Sequence, residues 1–212
     1  MGNTPPSGES IIRAVIERYS QLDSYCDRGA VFGELGTDGP YAEVTFETAY
    51  ASPNLFRFAF ESPHPFPPLS HLIWRCVVGC DGTRSYLRIE HPGKPADQWF
   101  EGDVATVVAG ATGISGGSAH TIARLLLGTV GGLSLTDLRD WTISGSTVVD
   151  DIACYQLVGR HPSGGQWELV VEKDSLLLRS LSNGTQRQVR QDILVDGEIQ
   201  PETFRAPERP QS

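Results

Sequence analysis

The spacing of apolar residues changes once near the start of the chain, and the change separates a helix from a long series of strands. Ile11, Ile12, Val15, Ile16, Tyr19 and Leu22 recur at intervals of three and four, with Arg13, Glu17 and Arg18 on the other side. That period predicts an amphipathic helix of about three to four turns, with Ser7 as its N-cap.

Beyond Asp23 the period shortens to two, and turn residues divide the chain into short strands. Ser24–Leu35 ends at Gly36-Thr37-Asp38-Gly39-Pro40, a hairpin signal. Tyr41–Tyr50 alternates Val44, Phe46 and Thr48 with Glu43, Thr45 and Glu47. A strand over 55–61 follows, then the proline-rich bend HPFPPL, where no strand continues. His71–Gly79 and Thr83–Glu90 flank Cys80-Asp81-Gly82, and His91-Pro92-Gly93-Lys94 turns into a short strand ending at Trp99 and Phe100. After Gly131-Gly132 the rhythm resumes in Leu138–Ser144, Val148–Gly159, Gln166–Glu172, Leu176–Leu181 and Gln186–Val195. SGS, HPSGG, KD and SNG separate them.

Residues 103–127 break this rhythm with VATVVAGATGI and SAHTIARLLLG, in which Ser118 is placed to cap a helix carrying Ile122, Leu125 and Leu126 before Gly128. Between Val104 and Gly132 the only Asp, Glu, Lys or Arg is Arg124. A helix without a polar face is buried against something. The order is therefore a helix, about six strands, an apolar helical insert and about five strands. An open antiparallel sheet this wide must curl, and its concave face must be filled. The expected fold is mainly β with some α. A single antiparallel curled sheet forms an incomplete β-barrel around the N-terminal helix and the central helical insert, which serves as a lid at about 103–127. Residues 1–8 read as a flexible linker and 9–208 as one domain.

Composition narrows the choice of function. A net charge of −9 and a pI near 5 argue against a phosphate-binding surface, so no nucleic-acid partner is expected. No apolar run reaches the roughly 18 residues of a membrane-spanning helix. The first ten residues carry neither a basic nor an apolar signal region, and read as a linker. Cys26, Cys76, Cys80 and Cys154 show no metal-binding spacing. Cys76 and Cys80 lie roughly 13 Å apart if both are in one strand, too far to bridge each other. Four buried thiols, or one or two disulfides involving Cys26 and Cys154, are both open.

Four stretches carry a resemblance to a known family. They are Tyr19-Ser20-Gln21-Leu22-Asp23-Ser24-Tyr25 at the helix-to-strand junction, Ser52-Pro53-Asn54-Leu55-Phe56-Arg57-Phe58, and Gly79-Cys80-Asp81-Gly82-Thr83-Arg84-Ser85-Tyr86. The last is a closing segment with Val195-Asp196-Gly197-Glu198-Ile199 and Pro201-Glu202-Thr203-Phe204-Arg205-Ala206-Pro207. In their order and spacing they resemble the LolA/LolB-like superfamily of envelope proteins, which includes lipoprotein carriers and relatives that bind acyl chains. The resemblance implies a half-barrel of antiparallel strands closed by a helical lid, in the periplasm or cell envelope. It departs at Ser52, where lipoprotein carriers place a basic residue. That points to a more distant lipid-binding relative rather than a lipoprotein shuttle.

Catalytic chemistry is not evident. His64, His91 and His161 each precede proline in turn-like settings, and His120 near Ser118 lacks a third orienting group. Gly113-Ile114-Ser115-Gly116-Gly117 has the outline of a nucleophile elbow, but a strand does not precede it, so it reads as a flexible joint between helices. Asp150-Asp151 reads as a hairpin turn after Val148-Val149. Arg84, Arg187 and Arg190 read as scattered surface charges. No phosphate-binding loop or dinucleotide fingerprint occurs. The expectation is a non-enzymatic protein without cofactor or metal.

What remains is the segment LFRFAFE. Phe56, Phe58 and Phe60 line one face of a strand, with Phe46 on the preceding strand and Trp74 on the following one. Together with Ile122, Leu125 and Leu126 of the insert, they are the candidate wall of an apolar ligand cavity, with glycines at 110, 113, 116 and 117 as hinges for the lid. The expected ligand is a lipid or an acyl chain of a lipoprotein, held by a carrier or sensor, with peripheral membrane contact and an envelope protein as further partners. The alternative is a protein-interaction or regulatory module of the envelope whose interior is solid.

Overall fold

The structure, a computed structural model, describes residues 6–34, 40–63, 68, 70–92 and 97–208. Helix α1 (Gly8–Ser20) leads into β1 (Ser24–Glu34), β2 (Pro40–Ala51), β3 (Leu55–Pro63), β4 (Ile73–Asp81), β5 (Ser85–Glu90) and β6 (Gln98–Gly102). Helices α2 (Val104–Thr112) and α3 (Ser118–Leu126) follow. Then come β7 (Arg139–Val149), β8 (Ile152–Arg160), β9 (Gln166–Glu172), β10 (Leu178–Ser182) and β11 (Gln186–Val195), with a closing 3₁₀ turn over Pro201–Phe204.

The eleven strands form one antiparallel sheet in the order β6-β5-β4-β3-β2-β1-β11-β10-β9-β8-β7. Its first and last strands pair in the middle, so each half of the chain meanders outward to an edge. The edges, β6 and β7, are the two strands that the helical insert joins. The sequence therefore forces α2 and α3 to cross from one rim to the other, over the concave face. The result is the expected incomplete barrel around helices. Inside it α2 packs on β4, β5 and β6, α1 packs on β7, and α3 touches both other helices.

Sequence explains these placements. Ser7 Oγ accepts a hydrogen bond from the Ser10 amide over 3.1 Å and caps α1, as expected. Ile11, Ile12, Val15 and Tyr19 then turn inward. Gly8 is where α1 meets β7: a Cβ there would stand 2.4 Å from the Trp141 carbonyl oxygen, so only glycine permits this approach. In the sheet, register sets Phe46 against Phe60, Phe60 against Cys76 and Cys76 against Ile89. The next inward rows are Thr48–Phe58–Val78–Leu87 and Tyr50–Phe56–Cys80. Burial of each large apolar side chain in these rows stabilises the fold by about 1.5–3 kcal/mol.

Three local expectations are corrected. Ser144-Gly145-Ser146 is not a turn but part of β7, with a bulge between Ile143 and Gly145. The reversal falls at Asp150 and Asp151, the pair read from the sequence as a hairpin turn, and their φ values of 49° and 63° are left-handed. The start of α3 is capped not by Ser118 but from Gly117, at φ 79°, and the Ser118 hydroxyl donates back to the Ser115 carbonyl over 2.7 Å. Arg190 is not at the surface: its side chain is 1% exposed, inside the half-barrel. Most of the linker over 1–8, the turn at 36–39, His64 and most of the HPFPPL bend, and Gly93-Lys94 lie outside the described residues.

Candidate functional site

The structure brings the sequence-derived residues into one body. Phe46 stacks on Phe58 with ring centroids 5.2 Å apart, and Phe60 lies 5.7 Å beyond Phe58. These three and Phe56 are at most 3% exposed. Ile122, Leu125 and Leu126 project from α3 into the same apolar cluster, while half-buried Trp74 packs at its margin, its ring 4.2 Å from that of His91. The phenylalanine wall is thus in contact with packed side chains.

Open space borders α3, and a larger, shallower depression of about 590 Å³ on the sheet counts Phe46 and Phe60 in its lining. A cavity of about 200 Å³ is bounded by Ile16 of α1, Leu125 of α3, Leu133 and Leu138 of the connection to β7, Trp167 of β9 and Leu181 of β10. Of the eight residues expected to hold a ligand, Leu125 alone lines it. The volume is below the roughly 300–1,000 Å³ of ordinary small-molecule sites. Trp167, Leu169 and Val171 alternate along β9 and mark an inward face, so this wall was legible as a pattern. That it borders a cavity was not, because its lining comes from segments far apart in the chain.

The joint between α2 and α3 is fixed from the sheet. Gly116 and Gly117 carry φ values of 58° and 79°, which turn the chain between the helices. From β11, Gln188 Nε2 donates to the Gly116 carbonyl over 3.3 Å, and Arg190 Nη2 donates to that of Ser118 over 3.4 Å. Arg190 also sits 4.9 Å over the Phe46 ring and pairs with Asp27, which accepts from the Tyr25 hydroxyl over 2.7 Å. Tyr19 lies 5.6 Å from Tyr25, and its hydroxyl accepts from the Leu178 amide. Burial, and then the Asp27 charge, push the Tyr25 hydroxyl well above its usual pKa. Burial alone would lower that of Arg190, but Asp27 and the two tyrosines outweigh it and raise it.

Ser115, His120 and His161 make hydrogen bonds within the fold. Ser115 is fully buried; its hydroxyl donates to the Thr112 carbonyl and accepts from the Ala119 amide, bridging α2 and α3. His120 Nε2 donates to the Gly131 carbonyl over 2.8 Å. His161 Nδ1 accepts from the Ser163 amide within the turn between β8 and β9. Among the described residues no group of three or more His, Cys, Asp or Glu side chains is placed to hold a metal ion. Among them, too, no helix is long and apolar enough to cross a membrane.

No protein-family model and no curated protein matches the chain in sequence. Solved structures do match it in shape. LprF from Mycobacterium bovis aligns over 94% of this chain and 97% of its own, at 11% identity and a TM-score of 0.53. The lipoprotein LppX of Mycobacterium tuberculosis aligns over 93% and 99%, at 13% identity and a TM-score of 0.51. A LolA superfamily protein from Nitrosomonas europaea aligns over 95% and 99%, at 9% identity and a TM-score of 0.38. The chain has the fold of LprF and LppX.

Proposed function

We propose that this protein binds an acyl chain of a lipid or lipoprotein, without catalysing a reaction, in the interior of the half-barrel. The observation that carries this reading is the cavity beneath α3, walled by Ile16, Leu125, Leu133, Leu138, Trp167 and Leu181. Each methylene buried there contributes roughly 0.8 kcal/mol, so a chain is held without directional contacts. The cavity takes only part of a long chain. Further length requires α3 to lift about the Gly116-Gly117 joint, which opens the way to Phe46, Phe56, Phe58 and Phe60. In that open form Trp74, Ile122 and Leu126 complete the wall. A fold shared with a mycobacterial lipoprotein supports a carrier or sensor role in the cell envelope.

The test is native mass spectrometry of protein purified without detergent, followed by titration with a fluorescent fatty-acyl probe. Co-purified acyl lipid, or saturable probe binding weakened by Leu125→Trp with the circular dichroism spectrum unchanged, is expected. A ligand-free protein with no affinity for the probe would refute the reading. If such a protein still captured an envelope protein, the solid-core interaction module would take its place.

A further inference from the structure

We propose that the chain bound in this cavity ends in an anionic head, a carboxylate or a phosphate, and that Arg124 receives it. This rests on the acyl-chain reading above and adds the chemistry of the head group.

Arg124 is the single charged residue from Val104 to Gly132, in an insert otherwise built of Ala, Gly, Val, Leu, Ile, Ser, Thr and His. It stands in the last turn of α3, beside Leu125 and one turn beyond Thr121, and all three line the cavity. Its side chain is half-buried, and Nε is shut away from solvent with no hydrogen-bond partner. Its side chain forms no ion pair or hydrogen bond with any other described residue. Other screened arginines differ in this respect. Arg88 pairs with Glu90 and Asp97, Arg179 with Glu172, and Arg190 with Asp27.

The rest of the lining sharpens the contrast. Neither an Asp nor a Glu contributes to the cavity wall, although the protein carries a net charge of −9. His120 also borders it, but its Nε2 is committed to the Gly131 carbonyl. Removing a guanidinium from water without a counter-charge is unfavourable, and an anion that enters with the ligand reverses that cost. The guanidinium fork matches a carboxylate or phosphate in two parallel hydrogen bonds. A slot lined mainly by apolar side chains, with the neutral hydroxyls of Thr121, Ser134 and Thr136 and one unpaired cation in its wall, therefore selects an anionic amphiphile over a neutral one. The residue is a binding determinant, with the apolar walls supplying affinity and Arg124 supplying preference.

Calorimetric titration with matched ligands tests this: dodecanoate against dodecanol, and lysophosphatidate against the monoacylglycerol of the same chain. The wild-type protein is expected to bind at least one anionic member about tenfold or more tightly than its neutral counterpart, the discrimination of a charge-assisted hydrogen bond. Whichever pair shows it identifies the head as carboxylate or phosphate. Arg124→Gln is expected to bring the two members of that pair level while neutral binding persists, and Arg124→Lys to keep part of the preference. Equal binding within both pairs by the wild type would overturn the head-group assignment and leave the acyl-chain reading standing. Binding of none of the four would overturn both. A preference undiminished in Arg124→Gln would remove Arg124 from the role.

Discussion

Arg190 and Asp27 meet inside the half-barrel, Arg190 Nη1 donating to Asp27 Oδ2 over 2.5 Å with the two side chains 1% and 0% exposed. The pair links β1 to β11, the strands at which the two halves of the sheet join, and through Arg190 it reaches the first residue of α3. Removing one partner strands the other charge away from water. Asp27→Ala is therefore expected to cost about 3–5 kcal/mol, read as a lowered urea midpoint. The double variant Asp27→Leu with Arg190→Met is expected to recover most of that loss. A single-variant cost below about 1 kcal/mol would place the pair in the regime of solvent-screened ion pairs.

Asp81 sets the acid limb of stability at the β4–β5 turn. Its carboxylate accepts from the Thr83 amide over 3.0 Å, the Thr83 hydroxyl over 2.7 Å and the Arg84 amide over 2.8 Å. Burial pulls its pKa upward, but these bonds and the Arg84 charge outweigh it and lower it to about 2. An unfolded aspartate titrates near 3.9. Because the folded value lies below the unfolded one, the charged carboxylate stabilises the protein fully above about pH 4, and this contribution is lost as the pH falls toward 2. Asp81→Ala is expected to cost on the order of 1–2 kcal/mol at pH 7, and progressively less on acidification. Urea unfolding at a series of pH values checks it, and a cost independent of pH would contradict it.

The four cysteines are all free, with Cys76, Cys80 and Cys154 buried and Cys26 half-buried. Burial and the nearby Glu90 charge push the Cys76 thiol up to about 12, and burial raises those of Cys26 and Cys154. Since the thiolate is the reactive form, labelling at pH 8 with an aromatic disulfide reagent is expected to be slow in the native protein. Four thiols are expected in denaturant. A disulfide-linked peptide in a non-reducing digest would contradict this.

The fold was legible where local period and burial agree. Ile11 to Leu22 showed the helix, LFRFAFE showed an inward aromatic face, and the position of the insert between the sixth and seventh strands led to a filled, curled sheet. What was hidden depended on tertiary environment. Arg190 occupies an alternating strand position that reads as surface, and Asp27, far away in sequence, supplies the counter-charge for its burial. Ser144-Gly145-Ser146 carries turn chemistry but is absorbed as a bulge, and the reversal falls only at Asp150-Asp151, the one turn signal of the two that the structure uses. Of the candidate site the phenylalanine wall was visible. The cavity was not, because Ile16, Leu125, Leu138, Trp167 and Leu181 become neighbours only once the sheet has closed around α1 and α3.

Trp167 offers a direct view of whether an acyl chain occupies that space, since its ring lines the cavity. Tryptophan emission would be followed while stearate brominated along its chain is added to the wild-type protein and to Trp167→Phe. Saturable quenching in the wild type, with most of its amplitude gone in Trp167→Phe, is the expected result. Emission unchanged by the brominated chain, or quenching equally strong without Trp167, would show that no acyl chain enters beneath α3.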